Sequence, residues 1–103
     1  MDKIVIKVWT QHAAEHGMEA YAAEAFTAEI SLGGNTDHAR LMAGNMVSYI
    51  SKSYAGDRIS VRVDLPRRNG DEQFVFLGKA DGVNEYEHIE PTLARIAHAI
   101  ECC

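Results

Sequence analysis

Proline, cysteine and positive charge are all scarce in this chain, and each shortage narrows the reading. The only prolines are Pro66 and Pro91, and no Gly/Ser tract accompanies them. There is therefore no linker and no low-complexity segment, and residues 1–103 read as a single domain. The only cysteines, Cys102 and Cys103, are adjacent and terminal. They cannot staple a core, and a disulfide between neighbours is strained, so a reduced tail is expected. Ten Lys and Arg against fifteen Asp and Glu leave a net charge of −5, which argues against a protein that coats nucleic acid. No apolar run approaches the ~20 residues that cross a bilayer, so no membrane is expected as a partner. The opening stretch, MDKIVIKVWT, is too short and too charged for a signal peptide, so a cytoplasmic location is expected. Phosphate-loop and dinucleotide fingerprints are missing, no Ser-His-Asp or Cys-His arrangement can be argued, and no cofactor is implied.

What is present is an ordinary globular composition, 47% hydrophobic. A chain of this length buries roughly 65% of its unfolded surface, enough for one core without staples. The clearest element is a hairpin. Ile59, Val61, Val63 and Leu65 alternate with Arg58, Ser60, Arg62 and Asp64, the mark of a strand with one buried face. Pro66 ends that strand because it cannot donate to a ladder. Asn69-Gly70 tolerates positive φ and turns the chain. On the return, Phe74 and Phe76 match the core face, whereas Val75 and Leu77 fall on the face of Arg58 and Arg62. A strand apolar on both sides is normally covered on both sides.

Ile4, Ile6 and Val8 alternate with Val5, Lys7 and Trp9 and predict a first strand. Met18, Tyr21, Ala22, Ala25 and Phe26 recur at helical spacing and predict a helix running to about Ser31. Phe26, Ala28, Ile30 and Leu32 also alternate as a strand would, but the alanine-rich context favours helix by propensity. Gly33-Gly34 break the chain and Asn35 or Thr36 caps a second helix. Its apolar stripe is Ala39, Met42, Ala43, Met46, Val47, Ile50 and Tyr54, and Gly56 stops it. After a polar connection, Pro91 suits the first turn of a last helix striped by Ile89, Leu93, Ile96 and Ile100. The prediction is an α+β, two-layer domain of order β-α-α-β-β-α. Its three strands lie at about 3–9, 58–65 and 73–79, and its three helices at about 13–31, 37–54 and 89–101. The expected core is Ile4, Ile6, Val8, Met18, Ala22, Met46, Ile50, Ile59, Val61, Val63, Phe74, Phe76, Leu93, Ile96 and Ile100.

With helices on one side of the sheet, the other side presents Val5, Lys7 and Trp9, then Arg58, Ser60 and Arg62, then Gln73, Val75, Leu77 and Lys79. This surface is basic and partly apolar in an otherwise acidic chain. Apolar patches rimmed by charge mark interaction surfaces, and Trp and Arg are enriched at binding hot spots. Lys7, Trp9, Arg58, Arg62, Val75 and Leu77 are the candidate binding residues. The expected role is a non-enzymatic interaction module that binds itself, as a homodimer, or another protein.

Three resemblances bear on the alternatives. The order β-α-α-β-β-α is similar to that of the K-homology RNA-binding domain, whose Gly-x-x-Gly loop between the first two helices clamps a nucleic-acid backbone. The corresponding loop here, Ser31 to Asp37, has Gly33-Gly34 at a different spacing and no Lys or Arg. Residues 12–16, His-Ala-Ala-Glu-His, resemble the His-x-x-Glu-His signature of the inverted zinc peptidases. That resemblance implies His12 and His16 as metal ligands and Glu15 as the base that activates a water. Gly17 weakens a helix there, and a polar helix start is the plainer reading. The terminal Cys-Cys resembles the prenylation signal of small vesicle-trafficking GTPases, without their phosphate loop or basic tail.

Overall fold

The computed structural model describes residues 3–10, 23–67, 69–85 and 91–102. Six elements follow in the order β1 (Lys3–Thr10), β2 (Ala23–Ser31), α1 (Thr36–Ser53), β3 (Arg58–Leu65), β4 (Glu72–Lys79) and α2 (Leu93–Glu101). The strands form one antiparallel sheet in the order β2-β1-β3-β4.

The hairpin of β3 and β4 forms as its alternation predicts. Arg62 stands opposite Val75, Val63 opposite Phe74 and Ser60 opposite Leu77. The turn between them is closed by the Gly70 N–H donating to the Arg67 carbonyl at 3.3 Å, with Gly70 at φ +121°, a value that a side chain would strain. β1 lies in the middle of the sheet and aligns Val8 with Val61 and Lys7 with Arg62.

The predicted three-stranded sheet with three helices is not what forms. The described residues hold four strands and two helices, and the segment read as the end of a first helix is β2. Pairing decides this. Ile30 stands opposite Ile4, Ala28 opposite Ile6 and Phe26 opposite Val8, so the alternation of residues 26–30 matches the core face of β1. That match outweighs the helical propensity of the alanines, a weak prior that tertiary context overrides. A register shift between Val8 and Trp9 marks an irregularity in the ladder. The resemblance to the K-homology topology falls with the first helix, because Leu32 to Asn35 connect a strand to a helix rather than two helices. Residues 11–22, which include Met18 and Ala22 of the expected core, lie outside the described residues.

Helix α1 starts where the sequence predicts. The Asn35 side chain accepts from the His38 N–H at 3.0 Å, which satisfies one orphan donor of the first turn. Ala39, Ala43, Val47 and Ile50 are buried, whereas Met46 and Tyr54 are only partly covered and Met42 is 45% exposed. The inner stripe is therefore narrower than the periodicity suggests. Helix α2 begins later than expected, at Leu93, and its cap is Thr92, whose hydroxyl accepts from the Arg95 N–H at 3.1 Å. Pro91 precedes the cap instead of filling the first turn, and Ile89 lies outside the described residues.

Both helices pack on one side of the sheet. A single cluster joins Ala43, Val47 and Ile50 of α1 and Leu93, Ile96 and Ile100 of α2 to Ile6, Val61, Val63 and Phe76. The expected core residues within the described segments all belong to it except Met46, which packs against its margin. Val5, Val75 and Leu77 stay outside the cluster. No helix among the described residues is long and apolar enough to cross a membrane.

Candidate interaction face

Alternation places the second face of the sheet residue by residue. Side chains of β1, β3 and β4 that do not point at the helices fall into four rows across the strands. Val5, Asp64 and Gln73 make the first row; Lys7, Arg62 and Val75 the second; Trp9, Ser60 and Leu77 the third; Arg58 and Lys79 the fourth. All six residues expected to bind therefore share one surface. β2, unforeseen, widens that surface on the β1 side and carries Thr27 and Glu29 onto it, opposite Lys7 and Val5.

The face has internal structure. The Arg62 guanidinium carbon lies 5.7 Å from the centre of the Trp9 ring, a cation–π contact across neighbouring strands. Lys3 pairs with Glu29 at 3.2 Å. Gln73 donates to the Asp64 carboxylate at 2.7 Å. Arg58 forms an ion pair with Glu85. These pairs are half-exposed, so each contributes little to stability and mainly fixes where the charges stand. The apolar members lie on the side away from α1 and α2 and are nonetheless partly shielded: Val5 is 9% exposed, and Val75, Leu77 and Trp9 are half-buried.

The fourth row and the free edge of β4 are supported by a segment the sequence reading treated only as a polar connection. Asn84, 7% exposed, is the buried polar residue of the described chain. Its side-chain amide donates to the Val75 carbonyl at 2.9 Å and its oxygen accepts from the Leu77 N–H at 3.4 Å. The Glu85 N–H donates to the Leu77 carbonyl at 2.8 Å, and the Asn84 N–H donates to the Pro91 carbonyl. The Val75 carbonyl and both backbone groups of Leu77, on the outer margin of β4, are thus satisfied by the chain itself. Gly78 makes this possible, since a Cβ there would meet the Val83 carbonyl oxygen at 2.8 Å. A glycine inside a strand is the available signal for such a close approach.

The remaining candidates are placed or set aside. His12, Glu15 and His16 lie outside the described residues. Among the described residues no three His, Cys, Asp or Glu side chains gather where a metal could sit. Cys102 is an exposed free thiol at the end of α2, with Sγ 3.4 Å from Nε2 of His98. A scan against protein-family models finds no match, and searches of curated proteins and of solved structures find none either.

Proposed function

We propose that this chain is a cytoplasmic protein-interaction module that docks through the face of its sheet opposite α1 and α2. One observation carries the reading. Trp9, Arg62, Val75 and Leu77 stand together on that face, outside the core cluster, with Arg62 held over the only tryptophan. A large aromatic, an arginine and two aliphatic side chains in one half-covered patch are what binding hot spots are made of. The charged rim supplies orientation, since exposed charges steer and select partners more than they add affinity. The free thiol of Cys102 suits the reducing cytoplasm.

The test is Leu77→Asp. A carboxylate on an open face is solvated, so the variant should stay folded, with a melting temperature within about 8 °C of the wild type. Loss of the cooperative thermal transition in circular dichroism would show that Leu77 belongs to a core and that the face is covered.

A further inference from the structure

Resting on that reading, we infer that the occupant of the face is a second copy of this chain. The two sheets pack face to face about a two-fold axis that runs across the strands, between the row of Arg62 and the row of Trp9. A two-fold interface uses one patch twice, so the patch must be complementary to itself. With all four rows engaged, the placement of charge on this face permits that in one orientation.

An axis running across the strands lays each strand antiparallel over its own copy and exchanges the rows end for end. The first row then meets the fourth, and Asp64 of each molecule lies over Arg58 of the other. The second row meets the third. Lys7 comes over the copy's Trp9, Arg62 over its Ser60, and Val75 over its Leu77. Opposite charges, a cation with an aromatic ring and aliphatic pairs are all brought together. Arg58 already holds Glu85, but a guanidinium has five N–H donors and can serve a second carboxylate.

The neighbouring solutions fail on charge. Centring the axis on the second row puts Arg62 over its own copy, and centring it on the third puts Arg62 over the copy's Arg58. An axis along the strands, between β1 and β3, puts Lys7 over the copy's Arg62 twice. Aligned packing of this kind is the ordinary way two sheets stack.

Size sets the strength. Strands of eight or nine residues, four abreast, make a face of roughly 27 by 19 Å, so two copies cover about 1,000 Å² before side-chain relief is counted. That is the lower end for specific interfaces, where area alone fixes no affinity, and a dissociation constant in the micromolar range is the value tested.

The experiment is light scattering during size-exclusion chromatography of the full chain, with dithiothreitol, loaded at about 100 µM, well above that range. The wild type should elute at twice the mass of one chain. Asp64→Arg alone and Arg58→Asp alone should each be monomers, because each faces like charge at both contacts. An equimolar mixture of the two should return to the dimer mass, because each contact then joins an arginine to an aspartate. Should Arg58→Asp misfold beside Glu85, the Arg58→Asp, Glu85→Lys double variant keeps the local pair and takes its place. A monomeric wild type overturns the inference, as does a mixture that stays monomeric. A dimer that Leu77→Asp breaks but Asp64→Arg leaves whole overturns this orientation while the face stands. A dimer that survives Leu77→Asp as a folded protein overturns the use of the face itself.

Discussion

Ile59, Val61, Val63 and Leu65 differ from Arg58, Ser60, Arg62 and Asp64 by a single step along one strand, yet the two sets lead different lives. The first set is buried to 1% exposure or less and joined to both helices. The second stands among charges, with Arg62, Asp64 and Arg58 held by one-to-one contacts with Trp9, Gln73 and Glu85. The covered face is cohesive: each side chain touches many others, and shape matters more than identity. The face away from α1 and α2 is a set of individually placed groups, and identity is what it offers. The same backbone thus supplies stability on one side and chemical pattern on the other.

That contrast can be broken or sharpened at adjacent residues of β4 and at Asn84, which supports that strand. Phe76→Ala should have the largest effect, a loss of about 3–5 kcal/mol in urea unfolding, since it empties a fully buried site. Asn84→Ala should come next, at about 1–3 kcal/mol, because the Val75 carbonyl and the Leu77 N–H lose their partner at a buried position. Val75→Ala should cost least, under about 1 kcal/mol, since its side chain is half-buried and outside the core cluster. If Val75→Ala matched Phe76→Ala, the two faces would be equally covered and the comparison would collapse.

The sequence made one half of this sheet easier to read than the other. β3 and β4 were legible because β-branched residues alternate, Pro66 and Asn69-Gly70 punctuate, and the pairing is local. β2 was not, because Phe26, shared by the Ala22-Ala25 stripe and the Ala28-Ile30 alternation, and its neighbours satisfy a helical period and a strand period at once, and only the partner β1 selects between them. That error propagated to the topology and to the likeness with the K-homology domain. The surface survived it, because β1, β3 and β4 alone place Lys7, Trp9, Arg58, Arg62, Val75 and Leu77 together. The support beneath it stayed hidden. Asn84 looks like any loop asparagine until Gly78 is seen to admit the chain against β4.

Asn84 also bears on how far copies of this molecule could spread sideways. A sheet with two bare margins can add neighbours without limit and become a fibre. Here the β4 margin is already stitched to its own chain at Val75 and Leu77, while β2 is the opposite outer strand of the described sheet. A second sheet adding at β4 would have to displace those contacts, so the strand is blunted against growth along that margin.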